Sequence, residues 1–557
     1  MNSRGLAKPT FFALILSALV ALIVLGCAVP PAPPPAPAAT QAPATQPTTA
    51  PSAATNPAAT TAPAAGAAQK PVIIVQAEVA SLDPQFSEAG NLGNIEQHLF
   101  DFLIAYDKNM QIVPSAAESY TLLPDNKTWQ FKIRKGIKFW DGEPLDAKAV
   151  KFTFDRIGNA DLRKQGLNDP YYSRVGFDHI DIVDDYTVNF VLKKPTILFL
   201  VYTTFNPILA PEYYSTHTPQ ETAIHPMGSG PWILKEWVKD DHMTMTANPD
   251  YWRGKPQIET LIWKPVPEPS TRTAMLQRGE ADIVADLAPE DMDRVKNDPN
   301  LNVCVAPGAR RISVTIPTQN PLFKDKRVRQ ALNYAVDFDA INKTILNGLA
   351  PARMNAPVSG NFWIDPNLKP YTYDPAKATA LLKDAGWNPD SAITLYTPVG
   401  RYMKDTEIAQ AVAGYWQKVG IKVTVQNVDA TVFSDQLRKS AFQGPFIVGL
   451  GSRFFGPDDV SVLFEPGFEG FEWVDNTQQG AAAKKLYEDL QGTFDDKKQQ
   501  QLVWQISDIF ADEAPWVFLW RQSSVFGVDK RTDWNCFSDY RIYFWLPNSP
   551  DTKLVAP

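Results

Sequence analysis

Short apolar segments alternate with amphipathic segments along the chain after residue 70. Pro71–Val75 is a β-branched run that predicts a strand. Asp374-Pro375 predicts a helix start, because Asp caps free N–H groups and Pro fits the first turn, and Gly386 predicts its end. The pattern predicts further elements: a helix near Asp325, a helix over 406–419, a strand over 421–425, helices near 482–490 and 497–510, and a strand over 516–520. Because helices and strands alternate, the pattern predicts the α/β class.

The long apolar run at the N-terminus is typical of an export signal. Arg4 and Lys8 precede the apolar residues 11–25, and this run is short for a helix that crosses a bilayer. It ends in Val24-Leu25-Gly26-Cys27, which resembles the bacterial lipobox, where the Cys becomes the first, lipid-carrying residue of the mature chain. We therefore expect residues 1–26 to be a lipoprotein signal peptide and Cys27 to be the lipid anchor. The alternative is an ordinary signal peptide with an incidental Cys.

The segment that follows Cys27 has the composition of a tether. Residues 28–69 carry no charge and consist mainly of Pro, Ala and Thr. Such a sequence cannot bury enough apolar area to offset its ordering entropy. We expect residues 27–70 to be a disordered tether that holds residues 71–557 at the outer face of the cytoplasmic membrane, in the periplasm or at the cell surface.

Length and charge narrow the class of protein. With 557 residues the chain exceeds the roughly 250–300 residues at which a single core stops growing, so two or more lobes are expected. The formal charge of -8 argues against a nucleic-acid partner, which would require a basic face.

A series of motifs then appears in a fixed order between about Ser81 and Asp390. Together they resemble the signature of the family 5 bacterial extracellular solute-binding proteins, the peptide, nickel and sugar receptors of ABC importers. The motifs are Thr128–Leu145 followed by Phe152-Thr153-Phe154, Gly228–Trp232, Asn248–Trp252, Gly279–Ile283, Asp325–Asn333 and Tyr373–Gly386.

The resemblance implies a fold and a division into domains. It implies a two-lobed periplasmic-binding-protein type II fold with mixed sheets, whose three domains are joined by a two-stranded hinge near residues 310 and 514. The expected domains are domain I, about 71–115, 215–310 and 515–557; domain II, about 116–214; and domain III, about 311–514.

The resemblance also implies a role and partners. A monomeric receptor would bind a small molecule, a peptide or an oligosaccharide, and deliver it to ABC permease subunits without a cofactor. The other class considered is a surface-anchored enzyme. The sequence contains no phosphate-binding GxxxxGK[ST] loop, HExxH or GxSxG, and its five His lack metal-site spacing, so we expect neither catalytic nor metal-binding residues.

A loop in the last third of the chain is the candidate ligand site. In peptide-binding members this loop carries an Asp that pairs with the peptide's ammonium group, and here Arg453 takes that position. A guanidinium cannot accept that hydrogen bond. If the alignment is shifted, Asp458 or Asp459 could supply the acid instead. Phe454 and Phe455 offer flat apolar contact, and further candidates are Trp363, Trp473 and Glu78.

Two cysteines follow Cys27 in the chain. Cys304 and Cys536 both fall in or beside the expected domain I. Export permits a disulfide between them, and two buried free thiols are the alternative.

Overall fold

The computed structural model describes residues 69–77, 79, 81–86, 93–167, 175–306, 308, 310–358, 361–450, 456–464, 473–536 and 541–544. Residues 67–557 form one compact unit. In it, helices and strands alternate and the sheets mix parallel and antiparallel pairs, so the predicted α/β class is confirmed.

The largest sheet has seven strands, which come from distant parts of the chain. Parallel pairs join β1 to β10 and β11, and the other pairs are antiparallel. The spatial order is β12-β18-β11-β1-β10-β9-β8. Its strands are β1 (Val72–Gln76), β8 (Trp232–Val238), β9 (His242–Ala247), β10 (Thr260–Pro265), β11 (Ile283–Val284), β12 (Leu301–Ala306) and β18 (Ser524–Asp529).

A four-stranded antiparallel sheet in the order β4-β5-β7-β6 is built from one continuous part of the chain. Its strands are β4 (Ala117–Leu122), β5 (Thr128–Ile133), β6 (Phe177–Asp184) and β7 (Thr187–Leu192), and the pair β2 (Ile104–Tyr106) and β3 (Ile112–Pro114) precedes it.

A five-stranded mixed sheet has the order β15-β14-β16-β13-β17. β13 runs antiparallel to β16 and β17, while β14 runs parallel to β15 and β16. Its strands are β13 (Arg311–Thr315), β14 (Ala392–Pro398), β15 (Lys422–Val428), β16 (Phe446–Leu450) and β17 (Trp516–Arg521).

Helices surround the sheets. They are α1 (Gly93–Leu99), α2 (Ala147–Ile157), α3 (Ala160–Lys164), α4 (Leu198–Thr203), α5 (Pro211–Thr216), α6 (Pro219–Thr222), α7 (Pro269–Gln277), α8 (Met292–Lys296), α9 (Lys326–Tyr334), α10 (Phe338–Thr344), α11 (Pro375–Asp384), α12 (Asp405–Lys418), α13 (Ala430–Arg438), α14 (Trp473–Asn476), α15 (Gly480–Gln491) and α16 (Asp496–Glu513). In the described part of the chain, none of them combines the length and the apolar character that a membrane crossing requires.

The apolar core has two large parts, which define two lobes. One part joins the seven-stranded and four-stranded sheets, with Trp263 and Phe190 among its members, and we call this body the first lobe. The other part surrounds the five-stranded sheet, with Val314 and Trp416 among its members, and this body is the second lobe. A smaller cluster around Val75 and Leu276 covers another side of the large sheet.

The position of β17 corrects one boundary of the predicted domains. We predicted that domain I resumes at 515, but β17 pairs with β13 in the five-stranded sheet. Trp516–Trp520 is a continuous apolar run, buried along its whole length, and a run of this kind is stable only inside a core. The chain therefore returns to the seven-stranded sheet at Gln522-Ser523 rather than near 514. The other domain boundaries stay predictions.

Candidate ligand site at the junction of the lobes

The chain passes between the two large sheets at two adjacent points. One crossing leads from β12 to β13 and the other from β17 to β18. The Gln522 N–H donates to the Arg310 carbonyl over 2.8 Å. At Gly308 a Cβ atom would lie 1.8 Å from the Gln522 carbonyl oxygen, so only glycine fits this approach. The two crossings thus touch each other, side by side.

The edge of the seven-stranded sheet at these crossings holds the carboxyl ends of its parallel strands. β1 and β11 run in the same direction, and β11 runs antiparallel to β18, with Val284 at the end of β11 opposite Gly527. Ligands of open α/β sheets bind outside the carboxyl ends of strands. Glu78, which follows β1 in the chain, lies outside the described residues.

Three strand ends of the five-stranded sheet meet at the same junction. Arg311 begins β13, and it lies opposite Leu450 at the end of β16 and Arg521 at the end of β17. The loop that was predicted to bind the ligand starts directly after Leu450. Arg453, Phe454 and Phe455 lie outside the described residues, and so does the side chain of Asp458, whose backbone belongs to the 3₁₀ helix Gly456–Leu463.

Asp459 in this 3₁₀ helix is already engaged within the protein. Its carboxylate forms an ion pair with Arg311, and both side chains are fully buried. A carboxylate that neutralises a buried guanidinium cannot receive a ligand's ammonium group without leaving that guanidinium unpaired. The structure thus counts against Asp459 as the acid of a peptide-amine site.

The two predicted tryptophans lie in the second lobe. Trp473 is buried, its ring meets Phe510 edge to face, and its indole N–H donates to the Leu463 carbonyl over 3.2 Å. These contacts favour a packing role, so a ligand contact by Trp473 stays a prediction. Trp363 is half-buried beside Phe362, at a centroid distance of 4.8 Å, and its contact with a ligand likewise stays a prediction.

The lobes also touch away from the crossings. The Thr196 hydroxyl of the first lobe donates to the Gln491 side-chain oxygen of the second over 2.6 Å. Lys404 and Glu290 form an exposed ion pair of 3.1 Å between the lobes. The two lobes therefore touch each other at points outside the crossings.

The two cysteines and His98 make their contacts within the first lobe. The structure joins Cys304 on β12 to Cys536 by a disulfide. His98 is buried against Trp232, Trp263 and Phe544, and burial lowers its pKa to about 4. Across the described residues, no group of three or more His, Cys, Asp or Glu is placed to hold a metal ion.

Arg311 and Arg521 are residues of the junction that sequence reasoning missed. Arg521 carries a charge at the end of the apolar run 516–520, and this is the signal that could have found it, whereas the segment after Arg311 mixes apolar and polar residues and gives no such signal. Their common location depends on the pairing of β13 with β17, which the local pattern does not contain.

The chain matches a family model described as bacterial extracellular solute-binding proteins, family 5 Middle, over residues 111–473. The dipeptide-binding protein of Escherichia coli (strain K12) is 30% identical over 436 residues, which cover 73% of this chain and 80% of that protein. The glutathione-binding protein GsiB of Pectobacterium atrosepticum is 30% identical over 472 residues, which cover 81% of this chain and 88% of that protein.

Solved structures with the same architecture include two binding proteins. DppA from Helicobacter pylori in complex with the peptide STSA matches with a TM-score of 0.73 and 23% identity, over 87% of this chain and 98% of that one. NikA from Brucella suis in complex with Fe(III)-EDTA matches with a TM-score of 0.76 and 23% identity, over 85% of this chain and 98% of that one. At this identity the likeness shows the fold, and it confirms the fold class predicted from the sequence.

Proposed function

Because the chain belongs to family 5 of the bacterial extracellular solute-binding proteins, we propose that it captures a small solute between its two lobes and delivers it to the membrane permease of an ABC importer. Members of this family are transport receptors and not enzymes, so the surface-anchored enzyme is rejected. We propose that the receptor acts as a monomer.

The observation that carries this proposal is the pair of adjacent crossings between the lobes. Two adjacent connections that touch at Gly308 and Gln522 form a narrow joint between bodies with separate cores. Such a joint lets the bodies separate by changes in a few backbone angles. A solute that contacts both lobes binds only the closed arrangement tightly, and it therefore shifts the population toward closure.

For the solute we propose a peptide-like molecule or an oligosaccharide, with Arg453, Phe454, Phe455, Asp458, Trp363, Trp473 and Glu78 as candidate contacts. Two similar relatives are described by name as binding a dipeptide and glutathione, which supports a peptide-like solute. Arg453 in the place of an acid and the engagement of Asp459 by Arg311 argue against an ordinary peptide ammonium group. An oligosaccharide or an anionic solute is therefore the alternative.

We further propose that the receptor is exported and anchored through lipid on Cys27. The signal sequence, the residues before Cys27 and the uncharged Pro-rich segment after it support this form. Several acyl chains together anchor a protein stably, whereas one chain binds reversibly.

Calorimetry and small-angle scattering on the full chain in detergent test the receptor function. The probes are trialanine, maltotriose and the nickel–histidine chelate. We expect one class of probe to bind without being converted and to reduce the radius of gyration, while the other classes leave the radius unchanged. Binding without any compaction would contradict closure of the lobes around the solute.

A further inference from the structure

Arg311 and Arg521 form an unusual cluster at the junction of the lobes. The two residues lie opposite each other on neighbouring strands, and Arg311 is fully buried. Burial, with the neighbouring charge of Arg311 as a second cause, lowers the pKa of Arg521 to about 10, so Arg521 stays protonated at neutral pH. Asp459 contributes one negative charge, and the three groups together carry a net charge of +1.

The hydrogen bonds of this cluster are incomplete. Arg311 has its ion pair with Asp459, but within the described residues its Nε and Nη2 atoms have no hydrogen-bond partner. Arg521 donates from Nη2 to the Val358 carbonyl, while its Nε atom has no partner there. The Ser313 hydroxyl, on the same face of β13 as Arg311, is also buried without a partner in this part of the chain.

Other buried arginines of the second lobe show what a purely structural guanidinium looks like in this protein. Arg353 donates to the carbonyl oxygens of Phe518, Val336, Tyr371 and Asn333 at 2.9–3.2 Å. Arg329 pairs with Glu513 and donates to three backbone carbonyls. A buried guanidinium without such partners is costly. Among the described residues, Arg311 and Arg521 thus lack the set of acceptors that surrounds Arg353 and Arg329, and this difference is the basis of the inference.

We propose that Arg311 and Arg521, with Asp459 holding Arg311 in place, form a subsite for an oxyanion of the bound solute, a carboxylate or a phosphate group. One added negative charge neutralises the cluster, and the planar guanidinium donors match the oxygens of such a group. Both arginines adjoin the crossings at residues 307–310 and 522–523, so separation of the lobes opens this edge of the sheet to the solute. This inference rests on the proposed receptor function and narrows its solute class to anionic molecules.

Thermal unfolding of the full chain in detergent tests the subsite with acetate and with inorganic phosphate. Chloride at equal ionic strength is the reference. We expect acetate or phosphate to raise the unfolding midpoint of the parent protein, and the anion that acts distinguishes a carboxylate from a phosphate site. Arg521→Met should abolish this rise. Arg310→Met is the matched control, since it removes the neighbouring arginine beside Tyr402 and should leave the rise intact.

A second readout separates a ligand subsite from a structural ion cluster. Arg521→Met removes an uncompensated buried charge, so without added anion its midpoint should equal or exceed that of the parent. A structural role predicts a lower midpoint. If Arg521→Met does not fold, Arg521→Lys provides a second variant, which keeps the positive charge but lacks the planar set of guanidinium donors. It should weaken binding of the active anion at least tenfold.

Two results would overturn the inference. One is a parent protein whose unfolding midpoint rises no more with acetate or phosphate than with chloride. The other is an Arg521→Met variant whose unfolding midpoint rises with acetate or phosphate as much as that of the parent. Compaction of both proteins by neutral maltotriose would leave the receptor function standing while rejecting the anion subsite, so the two proposals fail separately.

Discussion

Asp101 is a buried carboxylate at which two family motifs meet. Its Oδ1 atom accepts hydrogen bonds from the Tyr251 hydroxyl and the Trp252 indole N–H, both at 3.0 Å, and its backbone N–H donates to the Ser229 hydroxyl over 3.2 Å. In the same motif as Ser229, a Cβ atom on Gly228 would lie 1.9 Å from the Leu99 carbonyl oxygen. These family positions therefore fix the chain around the end of α1, and their role is structural.

Asp101→Asn should change how stability depends on pH. Burial raises the pKa of Asp101 from 3.8 to about 6, although hydrogen bonds from Trp252, Ser229 and Tyr251 oppose this shift. An acid whose pKa is higher in the folded state retains a proton there between the two values, so its contribution to stability falls as pH rises through this window. The loss is on the order of 3 kcal/mol. Chemical unfolding of parent and variant from pH 4 to 7 measures this difference.

The stability of the parent minus that of Asp101→Asn should fall across this range. His98, whose lowered pKa gives the opposite slope, is present in both proteins and cancels in the subtraction. Asp533→Asn, at an exposed position, serves as the control and should give a flat difference. A flat or rising difference for Asp101→Asn would contradict the raised pKa.

At the scale of elements, the crossing at Gly308 requires a residue without a side chain, as few other positions in the chain do. A methyl group there would meet the Gln522 carbonyl oxygen, and both atoms belong to backbone that connects the lobes. We expect Gly308→Ala to destabilise the protein by about 1–3 kcal/mol, as overpacking does elsewhere. Denaturant titration measures the change.

Gly414→Ala is the matched control for this substitution. Gly414 lies within α12, where an added methyl group would meet no heavy atom within 4 Å outside the helix's own backbone, so alanine should be neutral or should stabilise by up to about 1 kcal/mol. Equal changes in the free energy of unfolding for the two substitutions would show that the close contact between the crossings does not limit the residue at Gly308.

Local patterns predicted individual elements well. Helix α11 begins where Asp374-Pro375 predicted, with the Asp374 carboxylate accepting the Lys377 N–H over 2.8 Å, and Gly386 ends the segment with a φ of +72°. The strand predicted over 421–425 is β15, and the strand over 516–520 is β17. Capping and periodicity act between residues that are close in the chain, which is why these elements were predictable.

Pairing between distant strands was not predictable in the same way. The apolar run of β17 predicts a buried strand, but nothing local selects β13 rather than a neighbour in the seven-stranded sheet. The ion pair of Arg311 with Asp459 likewise joins two elements that lie far apart in the chain. The family motifs predicted the fold correctly, while the charges at the junction come together only once the strands are paired.

At the scale of the whole molecule, export and anchoring depend on the first residues. If Cys27 carries lipid, Cys27→Ser removes the modified side chain while leaving the globular body unchanged. Loss of the acyl chains removes roughly 0.8 kcal/mol for each buried CH2, which is enough to release the protein. The mature body cannot compensate, because its net negative charge does not favour anionic lipid. Fractionation of cells that express the variant should therefore find it in the soluble fraction.

The same substitution at the other two cysteines provides the control for the anchoring prediction. Cys304 and Cys536 are joined within the first lobe, so Cys304→Ser combined with Cys536→Ser tests the loss of sulfur without touching the signal. We expect this double variant to stay with the membrane fraction, as the parent does, because its Cys27 is intact. Membrane association of Cys27→Ser at the parent's level would show that another part of the chain holds the protein there. Release of both variants would instead indicate that damage to the folded body, rather than loss of lipid, causes the change in location.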